Sequence, residues 1–481
     1  MQYAYKSVQR NIVIDTIWLP DLTGYAGPKY LALAHSLREA VREEALPQGK
    51  KLPPVRDLAW RLGITPGTVA RAYQIATQEG LLEAVVGRGT FVASTAPRLG
   101  PSQPLMADLP VSASPDNAIV DLRSPQLPDV GQGAAISAIM LRLAGNIGEE
   151  YLGYPHLHRD ASLREAVVSW LADCEIGTFD SGDIVLTNGG QNAINIVLQC
   201  CLRGDRPRVF AEEFAYTGFR YAARLNRAEV TPIAIDEQGM RADALDAACR
   251  RQGGRVVCIT TEAQNPTTIR MSAERRAEIV AVARDHDLQI IEDDCYSVRG
   301  HALPGLRALA TERTWHVTSL SKSIAAGLRF GMIVCPTGRG EAGRMAAQHS
   351  FFGLARPVTD IVQSLLTSGE GVRLRDGVMQ VFARRLEMTL NKLGHYDVSW
   401  QRGLSFVWLR LPQGWRASTF ARRAEAEGVL LRSADEFTLI DGHAPNAVRI
   451  ALAGGIPEEK FSAALDKLAM LLENPPADMS I

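Results

Sequence analysis

The segment Ser319-Leu320-Ser321-Lys322-Ser323, followed by Gly327-Leu328-Arg329, carries the strongest chemical signal in this 481-residue chain. A lysine at a strand end, flanked by hydroxyls and seven residues ahead of an arginine, suits attack of an amine on an aldehyde beside a phosphate. The amine must first shed its proton, and neighbouring cations lower its pKa. Ser319 and Arg329 are placed to bind the phosphate dianion, the arginine by charge-assisted hydrogen bonds, with Ser321 counted beside them. Alone, the pattern is weak, because most lysines are solvated surface residues.

Its companions come in order along the chain. Asp293, in IEDDCY after an apolar run, suits pairing with a protonated pyridine nitrogen, which keeps such a ring an electron sink. Tyr296, three residues on, and Asn265, in QNP, suit contacts to a phenolic ring oxygen. Gly189-Gly190-Gln191-Asn192 lies between a strand and a helix, where backbone amides and the helix N-terminus hold phosphate. Tyr216, in EEFAYTGF, is an aromatic for the ring face. Arg449, in AVRIALAG, suits a substrate carboxylate. Each has a duller reading: a strand-end cap, a turn former, a core aromatic, a surface ion pair. The order of all six outweighs any one of them.

These residues resemble those of the fold type I pyridoxal-phosphate aminotransferases, in particular the branch of the kynurenine and aminoadipate aminotransferases, over roughly residues 120–475. The resemblance implies pyridoxal 5′-phosphate held on Lys322 as an internal aldimine. It further implies Asp293 at the ring nitrogen, Asn265 and Tyr296 at the ring oxygen, and Tyr216 stacked on the ring. Gly190, Gln191, Ser319 and Arg329 become phosphate ligands, and Arg449 the carboxylate anchor. Three positions depart from the family: Arg159 and Thr268 where glycine is usual, and Phe214 where proline is common. All three bear more on substrate handling than on cofactor binding.

The elements that must position these groups are legible. Apolar runs at 184–186, 209–210, 256–259, 289–291 and 332–334 alternate with helical spacing at 191–202, 217–226, 242–250 and 273–286. That alternation predicts a mostly parallel α/β sheet with helices on both faces. From about residue 357 the character changes to a smaller C-terminal α+β part.

Residues 1–93 read differently. Leu33, Leu37 and Val41 mark one face of a first helix. Pro53-Pro54 opens a second, ended by Gly63. Thr65 is the predicted N-cap of a third, with Pro66 at its first position and Val69, Ala72, Tyr73 and Ala76 as its buried stripe. LLEAVVGRGTFVA then predicts a hairpin. This is a winged helix-turn-helix pattern, which leaves Thr65, Thr68 and Arg71 for base edges, Arg56 for the backbone and Arg88 for a phosphate or minor groove. A three-helix protein-interaction module is the bland alternative. The stretch KKLPPVRDLAWRLGITPGTVARAYQIATQEGLLEAVVGRGTFVA resembles the winged helix-turn-helix of the GntR family of bacterial regulators over about residues 25–93. Pro66 stands where many members have an arginine, so base contacts fall to its neighbours.

Ser94 to Ala118 holds five prolines and no hydrophobic periodicity, which predicts an extended linker, taken as 94–119. A winged helix, a proline-rich linker and an aminotransferase-like domain in this order resemble the MocR subfamily of GntR regulators. That implies a head-to-tail homodimer, a double-stranded DNA operator and a small amino-containing effector, or the cofactor itself, as signal. An active aminotransferase with an accessory DNA-binding domain is the competing reading.

Bulk composition agrees with a soluble globular chain: 46% hydrophobic and 22% charged residues, with a net charge of −1. Residues 1–98 carry 12 Lys/Arg against 8 Asp/Glu, a mild basic bias. The start of the chain shows no export signal, and the seven cysteines lack zinc-type spacing, so a cytoplasmic chain with reduced thiols and no metal is expected. Cys295, beside a site residue, is read as a buried filler with a redox switch as the alternative.

Overall fold

The computed structural model describes residues 18–20, 22, 28–42, 45–78, 81–85, 89–93, 119–145, 147–155, 160–205, 207–297, 300, 303–439 and 444–475. The chain divides into two compact units, 1–103 and 104–481, with the division falling inside the proline-rich segment. The expected linker at 94–118, Arg88 and Arg159 lie outside the described residues.

In the first unit, α1 (Lys29–Arg42), α2 (Val55–Leu62) and α3 (Pro66–Gln78) precede a hairpin of β1 (Leu82–Val85) and β2 (Gly89–Val92). Leu33, Leu37, Leu58, Val69, Ala72, Tyr73 and Ala76 meet in one core. Fully burying an aliphatic side chain of this size is worth about 1.5–3 kcal/mol, enough to fix so small a unit. Gly63 ends α2 in the left-handed region at φ 61°, which a side chain would resist.

The second unit is built on a seven-stranded sheet among the described residues. Its strands are β3 (Ile184–Thr187), β4 (Arg208–Glu212), β5 (Glu229–Ile233), β6 (Val256–Ile259), β7 (Gln289–Asp293), β8 (Thr314–Ser319) and β9 (Gly331–Val334). They lie in the order β3-β9-β8-β7-β6-β4-β5, and only β9 runs antiparallel to its neighbours. Helices α4 (Gly190–Cys201), α5 (Thr217–Leu225), α6 (Ala242–Gln252) and α7 (Ala273–Asp285) connect the strands. Separate apolar clusters fill both faces, which is why Ile184–Thr187, Val256–Ile259 and Gly331–Val334 read as apolar runs rather than alternating ones. Where β9 passes β3, Gly331 faces Thr187. A Cβ at 331 would fall 2.8 Å from the Gly189 Cα and 2.8 Å from Thr187 Oγ1.

The C-terminal part has its own antiparallel sheet of β10 (Val398–Ser399), β11 (Phe406–Arg410), β12 (Arg432–Ser433) and β13 (Ala447–Ala451), in the order β10-β11-β13-β12. Its limits differ from the expected 357–475. The Arg356–Thr367 helix buries Ile361, Val362 and Leu365 in the core of the large sheet, while Val120 and Leu122 join the C-terminal core. Helix α8 (Glu370–Leu393) bridges both, with Leu374 in one core and Val378, Phe382 and Leu386 in the other. A change of pattern at 357 therefore marks a new run of helices, not a new core.

Candidate cofactor and effector site

The polar groups converge where the parallel strands end, the usual place for ligands in open α/β sheets. A cavity of about 390 Å³ opens there, lined by Glu212, Tyr216, Cys258, Thr260, Asn265, Asp293 and Tyr296 among others. Asp293 ends β7, and Cys295 N donates to its Oδ1 at 3.2 Å. Burial pushes the Asp293 carboxyl above its ordinary range. Lys322, three residues past β8, holds Nζ 5.5 Å from the centre of the Tyr296 ring. Burial would raise the Tyr296 phenol, but the charges of Lys322 and Arg449 outweigh it and bring the group below its usual value.

One end of this region is built for an anion. Gly189 adopts φ 80° and lets α4 begin at Gly190, so the helix N-terminus is presented to the strand ends. The Arg329 guanidinium lies beside it, donating to the Asn188 carbonyl at 3.4 Å. A Cβ on Gly189 would sit 2.7 Å from Arg329 Nη2. Ser319 is aligned across the sheet with Gly331, itself aligned with Thr187. Gln191 Nε2 donates to the Gly218 carbonyl at 2.9 Å, and the absence of a side chain at 218 leaves room for Gln191 and the Tyr216 ring.

At the other end, Arg449 on β13 is fully buried. Its Nη1 donates to Asn265 Oδ1 at 2.6 Å and its Nη2 to the Arg123 carbonyl at 2.6 Å. Phe437 and Phe406 flank it at 4.8 and 5.2 Å. Burial, with some help from Arg432, lowers its pKa. Among the described residues no carboxylate oxygen lies within hydrogen-bonding distance of it.

Among the described residues, four buried polar atoms around the cavity lack hydrogen-bond partners: Gln191 Oε1, Glu212 Oε1, Asn265 Nδ2 and Arg449 Nε. Native interiors rarely leave such atoms unpaired, so their grouping marks a place for a polar ligand. A phosphate at the start of α4, a ring nitrogen at Asp293, a ring oxygen at Asn265 and Tyr296, and an aldehyde at Lys322 suit these groups. The residues fit pyridoxal 5′-phosphate.

Sequence reading missed several contributors. Glu212, the last residue of β4, is buried and accepts from Thr260 Oγ1 at 2.6 Å; burial raises its pKa to about 8. Gln264 donates to the Phe214 carbonyl at 2.5 Å and accepts from Thr267 N at 2.9 Å, fixing the turn that carries Asn265. His316 lies behind Asp293, with Nδ1 3.2 Å from Glu292. Two adjacent carboxylates after an apolar strand were the available signal for Glu212. Thr268 has φ 67°, which gives the physical reason that glycine is usual at its position. The cysteines are unpaired, and burial pushes the Cys295 thiol well up, away from thiolate chemistry.

In the first unit, Thr65 Oγ1 accepts from Thr68 N at 3.3 Å and lies 3.0 Å from Thr68 Oγ1, capping α3. Arg56 is exposed on α2. Arg71 is half-buried, its guanidinium 4.2 Å from the centre of the Tyr30 ring, so it is held against α1. Trp60, 83% exposed between Arg56 and Arg61 in sequence, is a further outward group that periodicity had not singled out.

Residues 118–468 match the family model for aminotransferase class I and II. The chain belongs to this family. Residues 29–92 match the model for bacterial regulatory proteins of the gntR family, so the two domains form a MocR-type architecture. The uncharacterized HTH-type transcriptional regulator YdeF of Bacillus subtilis is 27% identical over 465 residues, 95% of this chain and 97% of the relative. The probable rhizopine catabolism regulatory protein MocR of Rhizobium meliloti is 26% identical over 64% of this chain and 66% of its own length. Among solved structures, an archaeal alanine:glyoxylate aminotransferase superposes with a TM-score of 0.66 at 23% identity, covering 74% of this chain and 91% of that one. This likeness concerns the fold. The family's cofactor is pyridoxal phosphate, and the chain is a GntR-type regulator with an aminotransferase-like domain. No helix among the described residues is long and apolar enough to cross a membrane.

Proposed function

We propose that this chain controls transcription in the cytoplasm by binding an operator through its winged helix and sensing a small amine through Lys322. The observation that carries the sensing half is the ring of unpartnered buried polar atoms around Lys322, Asp293 and Tyr296. Gly190, Gln191, Ser319, Ser321 and Arg329 hold the phosphate, and Tyr216 covers the ring. Asn265 and Tyr296 take its oxygen, and Asp293 keeps its nitrogen protonated. When bound, the vitamin supplies an aldehyde carbon that exchanges one amine for another, backed by an electron-withdrawing ring. Lys322 would hold the vitamin through Nζ, which lies 5.5 Å from the centre of the Tyr296 ring, where a proton could be exchanged. Arg449 orients the newcomer by its acid group. The ligand shifts DNA affinity only as far as it binds the two states of the protein differently.

On the DNA side, Thr65 and Thr68 meet base edges, as does Arg71 once it leaves the Tyr30 ring, while Arg56 clamps the backbone and Arg88 takes a phosphate or the minor groove. A head-to-tail homodimer is supported by the exposed apolar run Met140, Leu141, Ile147, Leu152 and Tyr154, together with Phe352, which stacks on Tyr154 at 5.5 Å.

The test is a Lys322→Ala variant offered pyridoxal phosphate. The wild-type protein gains a near-ultraviolet or visible absorption band and retains the vitamin after borohydride; the variant does neither, and its DNA binding no longer responds to amines. Retention of the band by the variant would overturn the reading. Lys322 beside the buried Asp293 is also the pairing an active aminotransferase needs. Keto-acid release at metabolic rates, without preference for one duplex, would favour that second reading.

A further inference from the structure

A second arginine stands next to the carboxylate anchor. Arg432 on β12 is directly opposite Arg449 on β13, and residues opposed across an antiparallel pair project to the same face with Cβ atoms about 5 Å apart. Like charges in that relation destabilise a sheet unless an anion lies between them. Arg432 is itself mostly buried, with 15% of its side chain exposed.

Among the described residues one carboxylate, Glu436, faces the pair, and the Tyr296 phenol adds a contact to Arg449. Arg449 spends two nitrogens on neutral oxygens, from Asn265 and Arg123, and leaves Nε unpartnered. Arg432 Nε is likewise buried without a partner, and its ion pair is a long 3.9 Å contact to Glu436. One oxygen of Glu436 is already engaged by Ser433 N at 3.2 Å in a capping box. The nearby Asp121 is no help, since both its oxygens are taken by Arg123. One effector carboxylate neutralises Arg449 and leaves Arg432 with only the long contact to Glu436 and a buried Nε unpartnered among the described residues.

We propose that the effector is an amine bearing two acidic groups, a short amino dicarboxylate, whose first carboxylate lies on Arg449 and whose second lies on Arg432. This rests on the amine-sensing reading above and narrows it to a chemical class. Arg449 then fixes the amine toward Lys322, and Arg432 selects against amides and apolar side chains that leave its charge unmet.

The test compares isosteres on the full-length, vitamin-loaded protein. L-glutamate against L-glutamine, and L-aspartate against L-asparagine, differ in one charge and hardly in shape. Binding is read from the change in the cofactor absorption band and from the melting temperature of the holoprotein. In at least one pair the acid binds about tenfold more tightly than its amide, the value of one desolvated charge-assisted contact. Arg432→Gln removes that preference while leaving the affinity for the amide within about twofold of wild type. Arg432→Lys, which keeps the charge, retains most of it, and guards against a glutamine variant that folds badly. Equal affinity for acid and amide in the loaded wild-type protein sinks the dicarboxylate and spares the sensor. Equal loss of both ligands in both variants assigns Arg432 to structure alone and also sinks it. A chain that never takes up the vitamin removes the sensor reading and this inference with it.

Discussion

Arg449 Nη1 donates to Asn265 Oδ1 at 2.6 Å across 184 positions of sequence, so the proposed acid anchor and a proposed ring-oxygen ligand form one bonded pair. The bond ties the C-terminal sheet to the turn after β6. It also aims Asn265 Nδ2, which has no other partner, toward the cavity.

Asn265→Ala therefore strands a buried guanidinium as well as removing a cofactor contact. Chemical denaturation is expected to show a loss of about 1.5–3 kcal/mol. With Arg449→Ala in the same chain the two losses add to clearly less than their sum, because they share one interaction.

Glu212 makes stability depend on pH in an unusual sense. Its carboxyl has a pKa of about 8 folded and an ordinary value of 4.5 unfolded, so between these the unfolded chain has released a proton that the folded chain keeps. Stability attributable to this group falls as pH rises from 4.5 to 8, by at most about 1.4 kcal/mol per unit, and levels off above. Melting temperatures of the vitamin-free protein across pH 5–8 are expected to show this slope, and Glu212→Gln to flatten it.

Gly189→Ala tests the anion cradle without touching a ligand's chemistry. Its Cβ meets Arg329 Nη2 at 2.7 Å, and the backbone at φ 80°, ψ 172° strains any side chain by about 1–3 kcal/mol. Equilibrium dialysis is expected to show at least a tenfold weaker hold on pyridoxal phosphate, with the circular dichroism of the fold unchanged.

Thr65 and Arg56 separate two kinds of DNA contact. Arg56→Ala weakens binding to all duplexes alike and reduces the salt slope by about 1. Thr65→Ala removes the α3 cap and costs about 1 kcal/mol of stability, whereas Thr65→Ser keeps both the cap and the DNA affinity. Salt-dependent gel shifts and thermal melts distinguish them.

The sequence spoke most clearly where chemistry is local. Lys322, Ser319 and Arg329 share eleven residues, the strand at 256–259 is apolar throughout, and Ile290-Ile291 lead straight into the acidic end of the next. Thr314–Ser319 escaped notice because its residues TWHVTS look half-polar; their burial depends on partners such as Glu292, which binds His316 from the neighbouring strand. Glu229–Ile233 was hidden by Pro232 on an edge strand. Contacts made only by folding stayed invisible, among them the Arg123 carbonyl at Arg449 and the Tyr30 ring beneath Arg71. The Tyr30 contact matters, since Arg71 must leave that ring to reach a base.

The bare Cα at Gly331 bears on how such a protein can change its trade. No atom of a ligand need be altered to dismantle the pocket: one methyl there, wedged against Gly189 and Thr187, would pry apart the two strands whose ends frame the proposed anion site. A lineage could thus turn a vitamin-dependent switch into a permanently deaf one by a single codon, with its reactive lysine still in place.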